Sequence, residues 1–188
     1  HGMYGIVKQV TGPSRLRVFF PPEQQYGLDV LESGVETEIL AQRSLITHTT
    51  GRITSMERLN KEWYEVTFDG DLSQLAVGDL ITRTCFPEVL IRNCRMGNNR
   101  ARGLLLGSRK KTVVEDGYFH TPGAAILFEG DGYYWYEQAG VRDVEIRHCV
   151  FDHCLYGAAT WGDAVIATGN GPKHDREQSR YHRNCLLY

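Results

Sequence analysis

The feature that most restricts the fold of this chain is a repeat in its second half. Leu90-Ile-Arg-Asn-Cys-Arg-Met96 lines up with Val113-Val-Glu-Asp-Gly-Tyr-Phe119 and with Glu145-Ile-Arg-His-Cys-Val-Phe151. Ile91, Val114 and Ile146 hold equivalent positions, and Met96, Phe119 and Phe151 follow five residues later in each case. The periods are 23 residues (91 to 114) and 32 residues (114 to 146). A second apolar run closes each repeat: Leu104–Leu106, Ala125–Phe128 and Ala164–Ile166. Self-similarity at this spacing marks a stacked architecture, in which no repeat can bury its apolar face without its neighbours.

Two short β-rich runs per repeat and a polar bend residue (Asn93, Asp116, His148) point to a right-handed parallel β-helix over residues 85–188. The fixed leucine offsets of a leucine-rich repeat are absent. A fourth repeat opens at Tyr181-His-Arg-Asn-Cys-Leu-Leu187, and the chain stops within it, so a segment of a longer solenoid is expected. Open solenoid ends leave strands unpaired, and unpaired strands are templates for self-association.

Residues 1–84 have a different texture. Gly5–Val10, Ser14–Phe20, Thr37–Leu40, Arg52–Met56, Trp63–Phe68 and Asp79–Arg83 are short runs punctuated by Gly, Pro and Asp. With no helix-length apolar stripe among them, a small barrel or sandwich is predicted. Val77-Gly-Asp79 reads as a turn that delivers the chain onto the last strand.

The difference between the two periods lies mainly in one insertion. There the apolar run Ile126–Phe128 ends in Glu129-Gly-Asp131, followed by Tyr133-Tyr-Trp-Tyr-Glu137. Long insertions on one edge of a solenoid build binding faces. Carboxylates accept hydrogen bonds from hydroxyls and flat rings cover apolar faces, so this edge suits a polyhydroxylated ligand. In an extended segment, Glu129 and Asp131 would face one side with Cα atoms roughly 6.6 Å apart.

Composition narrows the function. With a net charge of −2 and Arg109-Lys-Lys111 as its longest basic run, the chain lacks the footprint of a nucleic-acid binder. No apolar run reaches the ~20 residues of a membrane helix. Five cysteines, an odd count, argue against a disulfide scaffold. Cys149 and Cys154, beside His148 and His153, lack a second ligand pair at zinc-finger distance, which favours buried free thiols over a metal site.

Asn98-Asn-Arg-Ala-Arg-Gly-Leu-Leu105, Val114-Glu-Asp-Gly-Tyr-Phe119, Ala125–Asp131 and Tyr134-Trp-Tyr-Glu137, in this order, resemble glycoside hydrolase family 110, the bacterial α-1,3-galactosidases. The resemblance implies a right-handed β-helix carrying a small inserted β-barrel. It implies inverting hydrolysis of terminal α-galactose on blood-group-B-type or linear α-galactosyl glycans, without cofactor or metal. It also implies a bacterial protein that is secreted, periplasmic or on the cell surface. On this basis Glu129 and Asp131 are candidate catalytic residues, and Arg100, Arg102, Tyr134, Trp135 and Glu137 are candidate substrate-binding residues. Inversion needs a protonated carboxyl at the leaving oxygen and a carboxylate ~6.5–9.5 Å away to activate water. The family's strongest acid candidates are expected in an Asp-rich segment that ends in a His-Gly step. His1-Gly2 resembles that step, which makes substrate binding the alternative role for Glu129, Asp131 and Glu137. Little or no turnover is then expected of this chain alone. A non-catalytic carbohydrate-binding β-helix of a surface or tail-fibre protein, or a structural spacer, is the competing reading.

Overall fold

The computed structural model describes residues 4–22, 31–129, 140–169 and 182–188. The chain divides into two compact units, the break falling after Cys85.

The first unit is a closed six-stranded barrel of β1 (Tyr4–Gly12), β2 (Arg15–Phe19), β3 (Glu36–Leu40), β4 (Thr47–Arg58), β5 (Trp63–Phe68) and β6 (Leu80–Arg83), ordered β1-β2-β5-β4-β3-β6. Closure pairs every edge, which is how a small sheet avoids presenting an unpaired strand. Alternation along β2 and β5 sends Leu16, Val18, Tyr64, Val66 and Phe68 into a core shared with Val7, Ile39, Ile53 and Ile81. At Gly5 a Cβ would lie 2.4 Å from Val18 Cγ1 and 2.7 Å from the Phe20 ring, so a glycine there makes room for the aromatic core. β4 starts five residues before the predicted run, because Thr47-His-Thr-Thr50 pairs with β3 despite its polarity. Threonine is β-branched and suits a half-exposed pleat. The turn before β6 agrees with the sequence reading: Gly78 has φ +106°, and the Ala76 N–H donates to Asp79 Oδ2 at 2.8 Å.

The second unit consists of stacked coils. The first coil gives β7 (Val89–Arg92), β8 (Arg95–Gly97) and β9 (Leu104–Leu106); the second gives β10 (Thr112–Glu115), β11 (Tyr118–His120) and β12 (Ile126–Glu129). The third gives β13 (Arg142–Arg147), β14 (Val150–Phe151) and β15 (Ile166–Gly169), and β16 (Arg183–Leu187) comes last. They form three sheets, β7-β10-β13-β16, β8-β11-β14 and β9-β12-β15, and all their strand pairs are parallel.

The repeat alignment is the strand register. Val114 pairs with both Ile91 and Ile146, and Phe119 with both Met96 and Phe151. These residues, with Ile126, Phe128, Val141 and Val144, make the core of the stack. Burying an aliphatic or aromatic side chain of this size contributes about 1.5–3 kcal/mol. The bends at Asn93, Asp116 and His148 all take φ near +53° (54°, 53° and 52°), a region that Asn and Asp enter more easily than other L residues.

Two expectations need correction. The third apolar run begins its strand at Ile166, which pairs with Ile126, and not at Ala164. Val165 serves the preceding bend instead, where its carbonyl accepts the Ala125 and Ile126 N–H groups. The cysteines are less buried than expected: Cys94, Cys149 and Cys154 are half-buried, and Cys85 and Cys185 are exposed. Cys149 and Cys154 sit just past bends, where their thiols donate to the Val114 and Phe119 carbonyls of the previous coil at 3.7 and 3.5 Å.

Candidate functional site

The predicted residues lie along two connections. Glu129 ends β12, beside Gly169 of β15. Asp131, Tyr134, Trp135 and Glu137 lie outside the described residues, and with them the Glu129–Asp131 spacing. Arg100 and Arg102 occupy the connection between β8 and β9, which is bent and not extended, with Asn98 at φ +57°. They therefore do not alternate as on a strand. Arg100 is exposed. Arg102 is half-buried, and its Nη2 donates to the Thr160 carbonyl at 3.1 Å, while Asn99 Nδ2 donates to the Arg102 carbonyl at 2.6 Å. The same connection is held to the next coil by Gly103 N–H to Ala124 O (3.0 Å) and Gly123 N–H to Ala101 O (2.9 Å). Arg102 thus pins the loop that presents Arg100.

Trp161 closes a short 3-10 turn, Ala159–Trp161, with Gly162 and Asp163 immediately beyond it. Trp161 is half-buried, and its carbonyl accepts the Ala124 N–H at 3.0 Å. Asp163 is exposed. Lys173 to Arg183 is a further charged run, of which residues 173–181 lie outside the described residues. His182 is half-buried and Arg183 opens β16.

The structure also shows polar clusters that the sequence reading did not pick out. On the outer face of the first sheet, Glu115 is buried between Arg92 and Arg147, which hold equivalent places on the flanking coils, and Arg147 also reaches Glu145 at 2.8 Å. The hydrogen bonds from Arg147 and then Arg92 hold the Glu115 carboxyl below its ordinary value. On the outer face of the second sheet is a hollow of about 200 Å³ lined by Arg95, Asn98, Tyr118, His120 and Asp152. The Arg95 guanidinium lies 4.0 Å from the Tyr118 ring centre. The Tyr118 hydroxyl donates to Asp152 Oδ2, a bond that raises the phenol above its ordinary value and keeps it a donor. His120 Nδ1 lies 2.9 Å from the Asp152 backbone carbonyl. A carbonyl only accepts, so Nδ1 carries the proton and Nε2 is the acceptor of the neutral ring. The repeat alignment held the signal for the first cluster, since it places Arg92, Glu115 and Arg147 at one position.

Residues 15–81, most of the barrel, match the family model described as GLAA-B beta-barrel domain II. The chain is 42% identical over 194 residues to alpha-1,3-galactosidase B of Bacteroides fragilis, a match that covers 96% of this chain and 32% of the relative. It is 30% identical over 190 residues to alpha-1,3-galactosidase B of Bacteroides thetaiotaomicron, covering 100% of this chain and 31% of that protein. It is also 30% identical over 191 residues to alpha-1,3-galactosidase A of Shewanella woodyi, again covering 100% of this chain and 31% of the relative.

Over nearly its whole length the chain is similar to α-1,3-galactosidases, the match expected of a fragment of that family.

It spans about a third of the length of these galactosidases. The match is not confined to the barrel, because 96–100% coverage takes in the stacked coils and the Glu129 edge as well. The similarity to galactosidases therefore extends over both units.

Proposed function

We propose that the protein carrying this chain is an exo-acting, inverting α-1,3-galactosidase. It removes terminal α-linked galactose from blood-group-B-type or linear α-galactosyl glycans and works outside the bacterial cytoplasm. The coils of residues 85–188 form part of a right-handed parallel β-helix, and residues 1–84 are a barrel module inserted into it. The observation that carries this reading is the 42% identity, over nearly the whole chain, to a protein named as an α-1,3-galactosidase. In this scheme Glu129 and Asp131 border the galactose, as acid and base or as hydrogen-bond acceptors for its hydroxyls. Arg100, Arg102, Tyr134, Trp135 and Glu137 bind the rest of the sugar. In a single displacement the acid gives its proton to the leaving oxygen while the base, far enough away to admit a water, takes one from that water, and no cofactor takes part.

The test is hydrolysis of galactose-α-1,3-galactose by the intact protein. Glu129→Gln and Asp131→Asn should each lower kcat/KM by orders of magnitude if they do the chemistry, and mainly raise KM if they bind. Near-wild-type kinetics in both would remove this edge from the site. A second reading, a non-catalytic carbohydrate-binding β-helix, draws on the hollow of the second sheet, which pairs aromatics and arginine with one carboxylate. A sugar-soaked crystal with no acid pair astride a glycosidic oxygen would favour it.

A further inference from the structure

We propose that the hollow on the outer face of β8-β11-β14 is a binding site for a single neutral pyranose ring, separate from the carboxylate edge at the end of β12. It takes from the galactosidase reading only the choice of galactosyl probes.

The hollow exists because of one residue. Gly97 pairs with His120, and Asp152 continues the same register on the next coil, its N–H donating to the Phe119 carbonyl at 2.9 Å. His120 and Asp152 carry side chains at their positions, whereas Gly97 carries none and leaves the floor open. A Cβ there would already lie 3.2 Å from the His120 carbonyl oxygen.

The polar groups around the floor are fixed by one another. The Tyr118 hydroxyl takes Asp152 Oδ2, and the other carboxylate oxygen has no protein hydrogen bond among the described residues. His120 is locked through Nδ1, which leaves Nε2 for a ligand, as an acceptor when the ring is neutral. Arg95, stacked on Tyr118, has no ion pair among the described residues and offers several N–H donors. Vicinal hydroxyls, which donate and accept at once, match this alternation of donor and acceptor.

Charge excludes the other small ligands. An anion drawn to Arg95 would meet the Asp152 carboxylate, and a cation drawn to Asp152 would meet the guanidinium. The described residues hold no cluster of three or more metal-ligating groups. An aromatic wall flanks the hollow: Tyr156, 48% exposed, stacks on His153 at 5.8 Å and leans on His120 at 5.2 Å. Such a flat exposed surface suits the C–H face of a sugar.

The experiment is a titration of the ¹⁵N-labelled 188-residue chain with methyl α-galactopyranoside and with galactose-α-1,3-galactose. Saturable amide shifts are expected at Gly97, Tyr118, His120 and Asp152. Gly97→Leu, which fills the floor, should abolish them. Asp152→Asn, which keeps the shape, should weaken binding about tenfold, the worth of one hydrogen bond to a charged group. Equal binding of methyl α-glucopyranoside would support the pyranose site, without a galactose preference, and would leave the galactosidase reading to the hydrolysis assay. Shifts confined to residues 126–129, shifts that persist in Gly97→Leu, or no saturable shift would overturn the proposal.

Discussion

The Phe119 ring stacks on the Phe151 ring of the next coil, with centres 5.2 Å apart and planes 18° from parallel. Phe119 is fully buried, so it is the point where the middle coil is clamped to its neighbours. Phe119→Ala should destabilise the stacked unit by about 3–5 kcal/mol, the usual cost of truncating a core phenylalanine. Chemical denaturation monitored by tryptophan fluorescence would measure it, and a loss below about 1 kcal/mol would show that the coils do not depend on this column.

The arginines on either side of Glu115 make a second inter-coil clamp, this one sensitive to acid. Its carboxyl is held below the ordinary 4.5, so the unfolded chain takes up the proton first as pH falls. The stabilisation is complete above about 4.5 and is lost as pH drops through the lower folded value. Melting temperature against pH should fall in this range for the native chain. Glu115→Gln should melt several degrees lower near neutrality and show a shallower acid limb. Superimposable pH profiles would contradict the clamp.

His182 makes a third. The Val141 N–H donates to its Nδ1 at 3.3 Å, and its Nε2–H donates to the Gly169 carbonyl at 3.2 Å, which suits only the neutral ring. Burial pushes its pKa below the ordinary 6.5. The folded state therefore resists a proton that the unfolded chain accepts, and stability declines as pH falls below about 6.5. Imidazole ¹⁵N shifts should show one tautomer protonated at Nε2 and a midpoint below 6.5. A midpoint at or above that value would rule out this arrangement.

Much of the coil architecture was legible from residues alone, because apolar spacing and strand register are the same information. Ile91, Val114 and Ile146 are aligned in sequence and paired in space. The correspondence fails where apolarity and strand part company. Ala164-Val165 is apolar but bends, and Thr47-His-Thr-Thr50 is polar but pairs. The hollow is hidden for a different reason. Its residues occupy equivalent positions on successive coils but differ in chemistry, as Gly97, His120 and Asp152 do, so similarity along the chain does not mark them. The bent course of Asn98–Gly103 is likewise invisible in sequence, since its shape is set by hydrogen bonds to Gly123 and Ala124 of the next coil.

An enzyme that cleaves terminal α-1,3-galactose by a single displacement, as proposed for the protein carrying these coils, releases the sugar with its anomeric configuration inverted. Proton NMR of the first sugar released from galactose-α-1,3-galactose by the intact protein tests it most directly. The expected first product is β-galactose, which then mutarotates; α-galactose first, or no galactose at all, would overturn the proposed activity.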